Sequence, residues 1–184
     1  MQSDDKAAAR RQYLTFLLGR EEYAADVLSV KEIIEYGDVT QVPGTPAHVR
    51  GVINLRGSVV PVVDLAVKLG REESPLSRRS CIVIVESTFA KATVDKTDPG
   101  ERVVTGVVAD AVNQVIEFSP DDIESPPAFG TGVRLHYLEG IARIGDSFVL
   151  VLDMDSVLSD TPHTGSALAR PAEVTIPALV DTPA

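Results

Sequence analysis

From residue 13 to residue 158 the chain runs as short apolar stretches broken by turn-forming residues. Stretches of that length suit strands rather than helices. Residues 13–18, a turn at 19–22 and residues 23–28 predict a hairpin. Residues 52–56 and 59–63 predict a second one. Its turn is read at Gly57-Ser58, because glycine at the first turn position matches the twist of a tight hairpin. Further strands are expected at 81–85, 103–109, 112–118 and 148–152, all rich in Val and Ile, which pack well on pleated surfaces. The runs 81–85 and 148–152 lack polar alternation, so both of their faces are expected to be covered. Helices are predicted to be short. Residues 46–49 read as one turn with Thr45 as cap, and 65–69 and 154–158 each follow an aspartate, Asp64 or Asp153, suited to a helix start. Segments 86–101 and 119–134 carry the Pro, Gly and polar residues of loops. The fold class is therefore all-β with short helices.

An internal repeat organises this pattern. GVINLRGSVVPVVDLAVKL at 51–69 lies over GIARIGDSFVLVLDMDSVL at 140–158, so that Gly51 meets Gly140, Ser58 meets Ser147 and Asp64 meets Asp153, an offset of 89. Upstream, SVKEIIEY at 29–36 lies over AVNQVIEF at 111–118, an offset of 82. Matched Gly, Ser, Asp and Glu positions are harder to obtain by chance than matched Val and Ile. The repeat implies two similar small β barrels with a boundary near 70–80. Barrels of that size bury too little surface to stand alone, so a shared apolar seam is expected, and a seam is where a partner groove opens.

Composition removes several classes of function. The chain has 184 residues, 44% hydrophobic and 24% charged, with a net charge of −10 and a pI near 4.7. That content is incompatible with wholesale disorder. The acidic balance, with Arg78-Arg79 as the densest basic spot, argues against nucleic acid as a partner. A single cysteine, Cys81, excludes an internal disulfide and fits a reducing compartment. The polar start lacks a signal-peptide core, and no apolar run is long enough to insert in a membrane. The expectation is a soluble, cytoplasmic protein.

Catalytic signatures are missing. There is no G-x-S-x-G elbow, and Cys81 opens an apolar strand, where it reads as a small hydrophobe. Gly51 to Gly57 has neither the spacing nor the lysine of a phosphate loop. His48, His136 and His163 are too scattered to read as zinc ligands, and Asp153-Met154-Asp155 lacks the remainder of a calcium loop. Asp121-Asp122 beside Pro120 reads as a capped turn. No catalytic residue, metal or cofactor is expected. The rival reading from another class, a small β-barrel enzyme, would gain ground from an ordered metal or small ligand between His48 and His136.

VKEI at 30–33, GVINLRG at 51–57 and PVVDL at 61–65, with GVVAD at 106–110, VNQV at 112–115 and YLEG at 137–140, resemble the CheW family of bacterial chemotaxis coupling proteins. The resemblance spans about 12–158 and implies two pseudo-symmetric SH3-like five-stranded barrels. The first would cover about 12–75 and the second about 76–158, with the first strand able to cross over. Residues 1–11 would be a leader and 159–184 a disordered, acidic Pro/Ala-rich tail. It further implies a non-catalytic adaptor joining the cytoplasmic tip of methyl-accepting chemotaxis proteins to the regulatory domain of a CheA-type histidine kinase, recruited to receptor arrays. No receiver or kinase motif follows, so the chain reads as a stand-alone coupling protein. A sister reading keeps the fold and assigns it to a chemosensory pathway other than swimming.

Residues follow from the same resemblance. Val30, Ile33, Cys81 and Val115 match a receptor-binding groove, with plain barrel core as the other reading of each. Glu32 and Arg56 match a charged pair beside it. In the repeat, Gln114 and Gly145 replace that pair, so it is not required by the barrel itself. Phe129 matches an aromatic position of the kinase interface, and Val42-Pro43 is a second candidate there. Gly51, Asn54 and Gly57 are the structural residues of the hairpin motif.

Overall fold

A computed structural model describes residues 10–73, 75–89, 101–126 and 135–159. Eleven strands and two short helices are found there: β1 Arg11–Leu18, β2 Glu21–Asp26, β3 Val30–Glu35, β4 Val49–Leu55, β5 Ser58–Asp64, α1 Leu65–Lys68, β6 Cys81–Phe89, β7 Glu101–Ala109, β8 Ala111–Phe118, β9 Ile123–Glu124, β10 Leu138–Ile144, β11 Ser147–Leu152 and α2 Met154–Leu158. The protein is mainly β, as its pattern predicts. Strand β6 runs on to Phe89 and β7 begins at Glu101, so the expected loop at 86–101 is shorter at both ends. Strand β2 stops at Asp26, whose carboxylate accepts a hydrogen bond from the Leu28 amide and starts a 3-10 turn, Val27–Ser29. Arg11, assigned to the leader, already belongs to β1, and nearly all of the expected leader and tail lies outside the described residues.

The strands form two sheets, in the orders β3-β6-β7-β5-β4 and β8-β1-β2-β11-β10-β9. The five strands of the first order match the first five of the second, β9 being extra, with parallel pairing of β5 with β7 in one and of β2 with β11 in the other. This corrects the division at residue 75. The first hairpin, β1–β2, completes the sheet built from β8 to β11, while β6–β7 completes the sheet of β3 to β5. The reason is that each repeat needs a hairpin as its last two strands. The second repeat ends at α2, and the hairpin that serves it comes from the beginning of the chain.

The same local devices recur in both halves at the predicted offsets. Strand β4 carries a bulge between Val49 and Gly51, and β10 carries one between Leu138 and Gly140. A short segment crosses each bulge on the outside: Thr40 pairs with Val52, and Ile123–Glu124 pair with Ala142 and Ile141. A Cβ on Gly51 would lie 2.1 Å from the Thr40 carbonyl oxygen, and one on Gly140 would lie 2.3 Å from the Ile123 side chain, so only glycine admits the crossing. Asp64 and Asp153 each donate their amide to the opposite strand, to His48 and Tyr137 carbonyls, and then cap α1 and α2 through their carboxylates. Asp64 additionally accepts from Arg50, at 2.6 Å, and this pair is largely buried.

Three apolar clusters result. Ile53, Val60, Val62, Ile82, Ile84 and Val108 fill the first barrel, and Tyr13, Ala24, Phe118, Ala142, Val149 and Val151 fill the second. The third and largest is the seam, where Leu14, Phe16 and Tyr23 from β1–β2 belong with Cys81, Val83, Val85 and Val107 from β6–β7, while α1 with its C-cap adds Leu65 and Leu69 and α2 adds Val157 and Leu158. Alternate residues of β6 thus enter two different cores, which accounts for a strand without polar alternation. In β11 the same expectation fails at Phe148, which is exposed at the hairpin tip under the Arg143 guanidinium.

Gly51→Ala and Gly140→Ala are each expected to lower stability by about 2–4 kcal/mol, because backbone or packed atoms occupy the Cβ position. Gly145→Ala, with open space and only a positive φ against it, should cost about 1 kcal/mol. Urea unfolding of the three variants checks the order.

Candidate partner-binding groove

Strands β3 and β8 are edge strands of their respective sheets and are mates under the repeat. In β3, Val30 pairs with Val85 and Ile33 with Val83, across a bulge between Val30 and Glu32. In β8, Val112 pairs with Phe16 and Val115 with Leu14, across a bulge between Leu14 and Phe16. Side chains directly opposite each other in an antiparallel pair share a face. All four partners belong to the seam cluster, so Val30, Ile33, Val112 and Val115 stand on the seam side of the two edges. Val30 and Val112 pack onto it, whereas Ile33 and Val115 remain 44% and 51% exposed. The exposed Ile33 and Val115, on the seam sides of two edge strands, mark a candidate groove over the seam. Burying the exposed half of either side chain against a partner would contribute about 1 kcal/mol.

Cys81 does not join this surface. It is 8% exposed within the seam core, its Sγ lies 3.8 Å from the Ala109 carbonyl as a weak donor, and burial raises its thiol pKa. It supports the groove from beneath rather than lining it, which corrects its assignment as a contact residue.

The charged pair is formed. Arg56 Nη2 donates to Glu32 Oε2 at 2.8 Å, with the Arg56 side chain 79% exposed and that of Glu32 26%. Glu32 pairs with Ile84 of the first-barrel core, so the ion pair stands on the opposite face of β3 from Val30 and Ile33. The turn carrying Arg56 differs from the predicted one by a residue. Leu55 pairs with Ser58, which leaves Arg56 and Gly57 as the central residues, at φ +52° and +89°. Positive φ at both central positions is the tight turn that matches strand twist, and it normally selects Asn, Asp or Gly. Here Asn54 Oδ1 accepts a hydrogen bond from the Gly57 amide at 2.8 Å and braces the turn. The mate of Arg56 in the second half, Gly145, adopts φ +58° without steric penalty. Behind the pair, Glu86 bridges Lys31 at 3.3 Å and Arg102 at 3.8 Å.

The kinase candidates lie elsewhere. Val42 is half-buried and Pro43 exposed; the expected turn at 46–49 forms, closed by the Val49 amide donating to the Pro46 carbonyl, but Thr45 does not cap it, its hydroxyl donating to the Val42 carbonyl instead. Phe129 falls outside the described residues. Val112 escaped sequence reasoning, although the repeat aligns it with Val30 and would have found it. A polar cleft of about 430 Å³ opens beside α2, but its carboxylates are engaged internally: Glu139 faces Arg11, Asp153 caps α2 and Asp155 accepts from the Thr88 amide. Among the described residues no group of three or more His, Cys, Asp and Glu side chains is placed to hold a metal, and no helix is long and apolar enough to cross a membrane.

The profile of the CheW-like domain matches residues 12–161. The chain belongs to the CheW family. Its relatives include chemotaxis protein CheW of Klebsiella aerogenes, 32% identical over 149 residues, which are 81% of this chain and 82% of the relative. Chemotaxis protein CheW of Treponema pallidum is likewise 32% identical, over 148 residues, 80% of this chain and 82% of that one. Among solved structures, the scaffolding protein TtCheW from Thermoanaerobacter tengcongensis superimposes with a TM-score of 0.71 at 27% identity, covering 89% of this chain and 98% of that protein. The family fold of two SH3-like barrels accounts for the two matching sheets, and family membership supports a chemotaxis coupling adaptor.

Two outcomes test the geometry. Cys81 should resist a water-soluble thiol reagent at pH 8 in the native protein and react fully once unfolded, since burial both shields the thiol and raises its pKa. Rapid native labelling would contradict its place in the seam. Arg56→Gly should leave stability within about 1 kcal/mol of wild type, because relief of the positive φ offsets the loss of an exposed ion pair. Thermal melts of the two proteins provide that comparison.

Proposed function

We propose that this protein couples methyl-accepting chemoreceptors to a CheA-type histidine kinase by binding both at once. The receptor's helical tip occupies the seam groove, on Val30, Ile33, Val112 and Val115. The kinase regulatory domain meets the barrel ends, with Phe129 as aromatic anchor and Val42-Pro43 as the second contact. The observation that carries the reading is the groove itself: two apolar residues, Ile33 and Val115, left exposed at matching places on either side of a buried apolar seam. Apolar side chains on a rigid edge suit a helix laid into a groove. Nothing chemical happens to either partner. Holding the two together raises their effective concentration and fixes their geometry. Signal passes if the affinity for one partner depends on the state of the other, which linkage makes reciprocal. On this reading the protein works in the cytoplasm, gathered into receptor arrays at the membrane.

Calorimetric titration with the isolated regulatory domain of the cognate kinase tests the proposal. Binding at micromolar affinity or tighter is expected, and Phe129→Ala should weaken it at least about tenfold, as for an aromatic anchor. Binding unaffected by that substitution would move the kinase contact to Val42-Pro43. Absence of binding to every CheA-type kinase of the organism would overturn the coupling function.

A further inference from the structure

Apolar packing has no preferred direction, so a shared core joins the two sheets without fixing the angle at which they meet. Directional contacts that cross from one half to the other fix it, and the molecule has two. The first follows α1, which packs on β5 and β7 of the first sheet. Gly70, at φ +83°, ends that helix with its amide donating to the Val67 carbonyl at 3.0 Å, and the Arg71 amide donates to the Ala66 carbonyl at 2.9 Å. This is the left-handed glycine end of a helix, and it fixes the backbone from which the Arg71 side chain leaves. The guanidinium then crosses to the second sheet. It pairs with the Glu21 carboxylate and lies over the Tyr23 ring, 5.9 Å from its centre, while the Tyr23 hydroxyl donates to the same carboxylate at 3.1 Å. Tyr23 is fully buried, and burial raises its pKa, so the hydroxyl stays a donor.

The second crossing runs the other way. Asp155, in the first turn of α2, is exposed and accepts a hydrogen bond from the Thr88 amide of β6 at 2.8 Å. Helix α2 follows β11 of the second sheet, whereas β6 belongs to the first. The two crossings are not repeat mates. Ala66 stands at the position matched to Asp155 by the offset of 89. Val62 and Val151, which are mates, pair with Gly106 and Ala24, so Thr105 stands for Tyr23 and Val103 for Glu21. Each crossing is therefore a separate device, and either can be removed alone. The hairpins they reach are those that carry the groove: β1, paired with β2, bears the edge strand β8 with Val115, and β6 bears the edge strand β3 with Ile33.

We propose that Arg71 and Asp155 are positioning residues of the groove: each clasps the helix of one half onto the hairpin that carries the other half's edge strand, and together they set the separation of Ile33 and Val115. Exposed polar contacts of this kind contribute little to stability. Their effect is on geometry. Two residues on different sheets meet one helical partner well only while the sheets keep their angle, and a site held in its binding geometry beforehand lowers the cost of ordering it on association. The apolar side chains supply the contact, and the clasps fix its spacing. This rests on the receptor-binding reading above and adds what holds that site in shape.

The test uses the full chain with nitroxides on Glu35→Cys and Glu117→Cys, exposed mates on β3 and β8, Cys81 being buried; pulsed electron resonance reads the distance between them. This labelled parent should give one narrow distance distribution. Arg71→Ala and Asp155→Ala should each broaden or shift it, and each should weaken binding of a soluble fragment of the receptor's cytoplasmic hairpin about three- to tenfold. Asp155→Asn, which keeps an acceptor oxygen for the Thr88 amide, should restore both readouts. Arg102→Ala, which removes an ion pair within the first sheet, should leave both unchanged. A distribution that neither clasp variant alters overturns the assignment while leaving receptor binding intact. An altered distribution with unchanged affinity overturns the connection between clasps and groove. Failure of the parent to bind the fragment overturns the receptor-binding reading itself, and the distances then test the clasps alone.

Discussion

The seam between the β1–β2 and β6–β7 hairpins is the constraint on which the rest of this molecule depends. Each hairpin supplies central strands to its own sheet and, with alternate side chains, one wall of the shared core. Neither barrel is large enough to bury a sizeable fraction of its surface alone. Phe16, Tyr23, Val83, Val85 and Val107 are each at most 1% exposed, and Leu65, Leu69, Val157 and Leu158 from the two short helices and the α1 C-cap complete the packing with no exposure at all. The groove edges β3 and β8 are bonded directly to β6 and β1, so the spacing of Ile33 and Val115 is determined by how the two hairpins pack. Ile33 and Val115 therefore report the relation between the two halves.

The repeat separates what the barrel requires from what the function requires. Gly51 and Gly140, Asp64 and Asp153, and the bulges beside them recur because each barrel has to admit a crossing segment and start a helix at the same corner. Arg50–Asp64 shows what a structural ion pair looks like here: the acid is almost fully buried, hydrogen-bonded by two guanidinium nitrogens and employed as a helix cap. Glu32–Arg56 differs in being mostly exposed on the arginine side and carried on a turn of unfavourable φ. An exposed pair contributes little to stability.

Much of this was legible in the sequence, and the exceptions have physical causes. The mainly β character, the two helix starts and the equivalence of the halves follow from short apolar runs and matched turn residues. Strand β3 gives no continuous apolar run, because VKEIIE alternates and stands at a sheet edge; only the repeat marked it. The membership of β1–β2 in the distant sheet is a non-local pairing, and periodicity carries no information about partners. The hairpin turn was misplaced by one residue because arginine is a poor candidate for the left-handed region, so the rule that normally finds such turns pointed to Gly57-Ser58 instead. Cys81 was nominated for the groove by motif and removed by burial. Phe148 continues an apolar run but lies at a hairpin tip beyond the reach of any core.

Native-state hydrogen exchange resolved by residue tests the seam most directly. If one core holds both halves, the slowest amides of β1 and β2 and those of β6 and β7 should exchange with the same free energy of opening, equal to that of global unfolding. If β1 and β2 open at distinctly lower free energy while β6 and β7 stay protected to the global limit, the seam is not the shared core described, and the groove built on its edges loses its foundation.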